Sequence, residues 1–359
     1  MTLSPVFRSS AAVRLLEEEG VWDRLAPAMA SQVAAVARVR GDLQRIIDPS
    51  HLTAGEPLPD PGQVTGAAGL AFLQEYFFLI LFRSLFESLG VSPSRLEFYA
   101  ELDFCIKGTI TAADNLFDDQ GKSLLPLNGG SGPRFLSILQ LMCFERLLRR
   151  SCDRGVEVGL LTEAQSHAIL RGLIDGMAQI GELEGSEESG VGEILEPGEM
   201  VERVHRVRGG ALFALAFVPP ELLETGETAR RLERARPAVA RLGTAFQIVD
   251  DLTDFEFDLG RRSHNILVSW IHHRGSTRER ALLEELLAGA PIPPHVVEEG
   301  FRESARGVLD EAYAEARSSF AALGELGFWF PEELADQVVR AIVGLEGVGR
   351  MEVLGASGD

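Results

Sequence analysis

The chain has 359 residues, of which 45% are hydrophobic and 25% charged, as in ordinary globular proteins and unlike disordered ones. Its 54 acidic and 34 basic residues leave a net charge of −20, so it lacks the basic footprint by which a general nucleic-acid binder releases counterions. Cys105, Cys143 and Cys152 form no CxxC pair and no disulfide framework, which makes a cytoplasmic setting the expectation.

Residues 1–20 lack the charged-then-apolar pattern of a leader. Apolar residues then recur at three- and four-residue spacing over 21–47, 69–89, 94–119, 135–153, 162–183, 199–217, 228–257, 297–323 and 331–345. This is the period of amphipathic helices, and alternating strand patterns are nearly absent. Thr162 followed by Gln165 has the form of a capping box. Residues 48–63 hold four prolines and read as a linker; 124–133 and 185–198 read as loops. The most apolar stretch, 68–86, is interrupted by Gln74, Glu75 and Arg83. A membrane span needs about 20 mostly apolar residues, so this stretch predicts a buried helix and no span. The expected architecture is all-α, with residues 1–66 as an N-terminal helical extension and linker and 67–359 as one helical domain.

Two acidic clusters stand out, each at the end of an apolar run. Asp114 and Asp118 are four residues apart, which places them about 40° apart on one helix face. Asp250, Asp254 and Asp258 continue that spacing over about 80° and roughly 12 Å of a second helix. Like charges so arranged repel one another unless a cation sits among them. Hard oxygen donors suit Mg²⁺, which keeps waters and accepts phosphate oxygens as further ligands. A shared metal site at the mouth of a helical bundle is the expectation.

The residues carry a family resemblance. Residues 243–254, Gly-Thr-Ala-Phe-Gln-Ile-Val-Asp-Asp-Leu-Thr-Asp, resemble the FQxxDDxxD motif of trans-isoprenyl diphosphate synthases. Residues 114–118 resemble the first DDxxD motif of that family, with Asn115 in its second place. Residues 178–182, around Gln179, are similar to its GQxxD element. Residues 202–213 are similar to its helix ending in Lys-Thr-Gly/Ala-x-Leu-Phe, with Arg208 where the lysine stands. The match spans about 70–270. It implies the type I isoprenoid-synthase fold, a single-domain helical bundle around a central apolar cavity, and a prenyl diphosphate substrate. It further implies three Mg²⁺ ions held by Asp114, Asp118, Asp250, Asp254 and Asp258. The catalytic set would be Asp114, Asp118, Asp250, Asp254 and Arg208. Arg208, Arg261, Arg262 and Lys122 would bind diphosphate, and Phe78, Ile110, Phe117, Gln179, Phe213 and Gln247 would wall the cavity. A homodimer is compatible with the resemblance.

Two departures bear on activity. Chain-elongating relatives hold isopentenyl diphosphate with an N-terminal GGKxxRP motif, but residues 40–75 contain no lysine and 64–70 read Val-Thr-Gly-Ala-Ala-Gly-Leu. The Arg-Arg pair that follows their first motif is replaced by Gln120-Gly121-Lys122-Ser123. A diphosphate left without cations in a partly dry site is costly. The main expectation is therefore a Mg²⁺-dependent terpene synthase that ionises one linear prenyl diphosphate and cyclises or quenches the cation. The moderate side chains of Thr109 and Ile110, a turn below Asp114, predict a substrate of C20 or longer. A prenyltransferase, either chain-elongating or using another acceptor, is the alternative. A non-catalytic scaffold subunit is the second alternative, and the retained aspartates count against it.

Overall fold

The computed structural model describes residues 10–55, 57–60, 67–117, 121–130, 132–341, 350 and 354. The helices, in order, are α1 (Ser10–Glu18), α2 (Val21–Leu43), α3 (Ala67–Ser88), α4 (Pro93–Phe117), α5 (Pro133–Glu157), α6 (Glu163–Ser186), α7 (Pro197–Met200), a π-helix (Val201–Gly210), α8 (Ala211–Ala214), α9 (Val218–Leu223), α10 (Gly226–Thr253), α11 (Phe255–Arg261), α12 (Ile266–Arg274), α13 (Thr277–Leu287), α14 (Val296–Gly300), α15 (Arg302–Glu325) and α16 (Ala335–Ala341). Among the described residues, strand-type pairing is limited to one bridge between Leu52 and Leu127. The fold is all-α, as the periodicity predicts. The division expected at residue 66 lies outside the described residues.

The chain forms two compact units. The first contains Gly20–Leu173 and Ala216–Glu233; the second contains α1, Ile174–Leu215 and the described part of Arg234–Asp359. In the first unit α4 is the central helix, and every residue from Phe98 to Ile106 is buried. Phe104 meets Phe144 of α5 edge-on at 5.5 Å and Tyr76 of α3 at 5.9 Å. Burial on every side explains why its apolar pattern is nearly continuous. Charge also enters this core. Asp42 on α2 and Glu101 on α4 both pair with Arg154 of α5, while Arg38 donates to Glu101 at 2.7 Å and Arg150 approaches Asp42 at 3.0 Å. Burial alone would raise the Asp42 carboxyl, but Arg150 and Arg154 outweigh it and hold it below the usual range. These pairs stitch α2 and α5 to α4, the helix that ends in the first aspartate motif.

Helix α3 kinks at Tyr76, where φ is −114° and ψ 19°. By length and composition the 21 residues Ala68–Ser88 suffice to cross a membrane, yet 78% of the most apolar window is buried, as in a core helix. The Thr162 capping box forms: the Thr162 amide donates to Gln165 Oε1 at 2.9 Å, and the Gln165 amide to Thr162 Oγ1 at 3.2 Å.

Two expected helices differ in the second unit. The 199–217 run is not one α-helix, since Val201–Gly210 is π-helical. The 228–257 run bends at Asp254, where φ is −100° and ψ 14°. The π-helix lies against α10 at a glycine pair: a Cβ on Gly243 would overlap the Gly209 carbonyl oxygen, and one on Gly209 would overlap the Gly243 carbonyl oxygen. Backbone meets backbone there, so no side chain can move aside. Gly243→Ala should therefore destabilise the fold by about 1–3 kcal/mol, read as a lower urea midpoint at unchanged m-value. A midpoint equal to the wild type would show that the two helices do not approach this closely.

Candidate active site

The second aspartate motif is built on the last two turns of α10. Asp251 faces inward and is 2% exposed. Its carboxylate accepts from the Ile266 amide at 2.7 Å, from His205 Nε2 at 2.9 Å and from Gln247 Nε2 at 3.3 Å. Burial would raise its pKa, but His205 first, then Arg208 and the Ile266 amide, hold it below the ordinary value. The π-helix carries both His205, fully buried, and Arg208. Asp251 thus anchors the helix end and leaves its neighbours to face outward.

Those neighbours are Asp250, half-buried, and Asp254, exposed. Gln247 Nε2 also donates to Asp250 at 3.2 Å. Despite the bend, the Asp254 amide bonds the Asp250 carbonyl at 2.8 Å and the Asp258 amide bonds the Asp254 carbonyl at 2.9 Å. The four-residue backbone bonding of 250, 254 and 258 therefore continues through the bend. Asp258 takes a hydrogen bond from Asn265 Nδ2 at 2.9 Å. Burial, helped by the carboxylates of Asp251, Asp254 and Asp250, pushes its pKa up to about 9. Among the described residues no three His, Cys, Asp or Glu side chains form a ready-made metal cage. A pair of outward carboxylates one turn apart fits Mg²⁺, which is commonly held by one or two carboxylates while waters and phosphate oxygens complete its octahedron.

Arg208 is only 14% exposed at its side chain and pairs with Glu184 and, at 2.8 Å, Glu187. Burial works against its charge, but Glu184, Glu187 and Asp251 outweigh it and raise its pKa. Glu187 also accepts the His264 amide at 3.0 Å, linking the end of α6 to the turn before α12. The two arginines expected to act together diverge. Arg261 lies over the Phe257 ring at 5.1 Å. Arg262 has a left-handed backbone, φ 57°, and lines a cavity of about 260 Å³ with Ser263, His264 and Val191. In the same unit Phe213 packs on Phe246 at 5.7 Å, and Gln179 is exposed on α6.

The first motif closes α4 in the other unit. Asp114 is exposed, whereas Asn115 is 1% exposed. Asn115 Nδ2 donates to the Lys122 carbonyl at 2.7 Å, and its Oδ1 accepts the Lys122 amide at 3.1 Å. The residue that departs from DDxxD therefore folds the following loop back onto the helix, a task that needs both a donor and an acceptor. Asp118 lies outside the described residues. Phe117 is 38% exposed and Ile110 half-buried, while Phe78 is buried on α3 beside Phe77 and Phe82. Sequence reasoning passed over His205, Glu184, Glu187 and Arg350. The first three lie in or beside segments singled out by resemblance; Arg350 carries no local signal.

Comparison with protein-family models and with curated proteins gives no match. Solved structures do match. The decaprenyl diphosphate synthase of Rhodobacter capsulatus is 21% identical, with a TM-score of 0.56 over 89% of this chain and 99% of that one. The geranylgeranyl pyrophosphate synthetase of Pyrococcus horikoshii is 14% identical, with a TM-score of 0.60 over 90% and 98%. The geranylgeranyl pyrophosphate synthase of Corynebacterium glutamicum, solved with isoprenyl diphosphate and magnesium, is 16% identical, with a TM-score of 0.54 over 89% and 98%. The chain has the type I isoprenoid-synthase fold of the trans-isoprenyl diphosphate synthases.

The raised pKa of Asp258 has a measurable sign. Between about pH 4 and pH 9 the folded carboxyl binds a proton that the unfolded one does not, so metal-free stability falls as pH rises through that window. Asp258→Asn should flatten this fall, seen as a smaller drop in melting temperature between pH 5.5 and 8.5 in EDTA. An unchanged slope in the variant would assign the dependence elsewhere.

Proposed function

We propose that the protein is a divalent-metal-dependent prenyltransferase that takes the prenyl group from an allylic diphosphate and passes it to an acceptor other than isopentenyl diphosphate. The observation that carries this is the pair Asp250 and Asp254, presented outward by a helix end that buried Asp251 anchors. Mg²⁺ bound there would neutralise the leaving diphosphate as the C–O bond breaks. The synthases of like fold support transfer chemistry more than cyclisation. Asp114 of the first motif is the further metal-ligand candidate among the described residues. Arg208, held as a cation by Glu184 and Glu187, is a donor for the departing diphosphate.

Several cations of the first unit are already paired, which supports this choice of acceptor. Arg38, Arg150 and Arg154 are engaged by Asp42 and Glu101, and Lys107 by Glu75 at 3.1 Å. With no lysine in 40–75, a second diphosphate lacks the cradle that elongating relatives provide. The same observation favours a second reading, a terpene synthase in which the acceptor is a double bond of the same prenyl chain or water.

Purified protein with Mg²⁺ and C10 to C25 allylic diphosphates, alone, with isopentenyl diphosphate or with diphosphate-free acceptors, separates these readings. Prenylated acceptor without phosphatase treatment is the expected product. Hydrocarbon or terpene alcohol from one substrate alone would establish the second reading. Longer prenyl alcohols released by phosphatase only after incubation with isopentenyl diphosphate would overturn the argument from the missing cradle. Asp250→Ala and Asp254→Ala should each lower kcat at least about a hundredfold, the scale on which losing a single transition-state electrostatic contact acts. Retained turnover in both would place the metal elsewhere.

A further inference from the structure

Helix α10 ends at Thr253, in the middle of the second aspartate motif, and α11 begins at Phe255. A helix end leaves carbonyls without intrahelical partners, and burying them bare is costly. Arg350, about a hundred residues further along the chain, answers this need. Its Nη1 donates to the Leu252 carbonyl at 2.5 Å and to the Thr253 carbonyl at 3.3 Å. Nη2 reaches Glu256 Oε1 at 2.6 Å, Nη1 reaches Glu256 Oε2 at 3.2 Å, and Nε donates to Glu298 Oε1 at 3.0 Å. The Arg350 side chain is 7% exposed and that of Glu298 10%. One guanidinium therefore divides its fork between the two carbonyls just before the bend and two carboxylates, one from α11 and one from α14. A cation at a helix C-terminus is also favoured by the helix dipole.

We infer that Arg350 is a positioning residue for the second aspartate motif: it caps α10 at the bend and ties in α11, fixing Asp250 on one side relative to Asp254 on the other. It does so through the Leu252 and Thr253 carbonyls, which lie between the two aspartates, and through the Glu256 carboxylate of α11. Lysine cannot replace it, because a single ammonium lacks the planar fork that meets carbonyls and carboxylates at once. The inference rests on the reading that Asp250 and Asp254 hold the metal.

The test compares wild type, Arg350→Ala, Arg350→Lys and Glu298→Gln. Mg²⁺ is titrated by calorimetry in the presence of inorganic diphosphate, and amide exchange of residues 250–258 is followed in the metal-free protein. Arg350→Ala should weaken Mg²⁺ binding at least tenfold and speed exchange of these amides, with α4 and α5 unchanged. Arg350→Lys should recover only part of both, and Glu298→Gln, which keeps the carbonyl cap, should stay close to wild type. Mg²⁺ affinity of Arg350→Ala within twofold of wild type overturns the inference, as does unaltered exchange at 250–258. If the wild type itself binds no Mg²⁺, the metal reading fails, and exchange alone decides whether Arg350 orders the motif. Should Arg350→Ala not fold, Arg350→Lys decides by the same two readouts.

Discussion

Carboxylates gathered at one helix end repel, and the second motif is held against that repulsion by turning Asp251 into the protein. Its partners His205 and the Ile266 amide come from elements on either side of α10 in sequence. Each would be left with an uncompensated buried group if the aspartate were removed. The π-helix, the end of α10 and the start of α12 are thereby fixed to one another by a single side chain. The outward stance of Asp250 follows from this, because successive helix residues point about 100° apart; Asp254 is exposed at the bend where α10 gives way to α11. Arg208 and Glu187 extend the same network, and Glu187 passes it on to the turn that carries His264.

The first motif obeys a similar logic with different chemistry. There the second residue is also buried, but it is an amide. It grips the backbone of the next loop at Lys122 and has no histidine partner. In both motifs the first aspartate is left outward because its neighbour is tied down. An amide serves at 115 because a loop backbone offers a donor and an acceptor together. A carboxylate serves at 251 because it meets a histidine, an amide N–H and a glutamine N–H, all able to donate.

Much of this was legible in the residues, for reasons of range. Helical periodicity and the four-residue spacing of the acids are local properties, and the backbone bonds through Asp254 preserve that spacing across the bend. What escaped was long-range. The π-helical stretch meets α10 where Gly209 and Gly243 approach closely, and only packing brings those two together. The partner of Asp251 lies 46 residues before it, and the cap on Leu252 lies 98 residues after it. Asn115 read as a gap in a motif, because its worth lies in a loop seven residues away. Arg261 and Arg262, adjacent in sequence, were expected to share a ligand, but a left-handed backbone at the second sends it to a different wall.

The near-absence of lysine gives the first motif a chemical handle. All but two of the 34 basic residues are arginine, and acylating or alkylating reagents that seek amines pass over guanidinium groups. Of the two side-chain amines, Lys107 is held by Glu75 and lies beside the Tyr76 ring. Lys122 has no ion-pair partner for its ammonium among the described residues, and its backbone is clamped to Asn115, next to Asp114. A fluorophore attached through a side-chain amine would therefore concentrate at one point, beside a motif aspartate, without any engineered cysteine. Occupancy of that end of α4 becomes observable in the unmodified sequence.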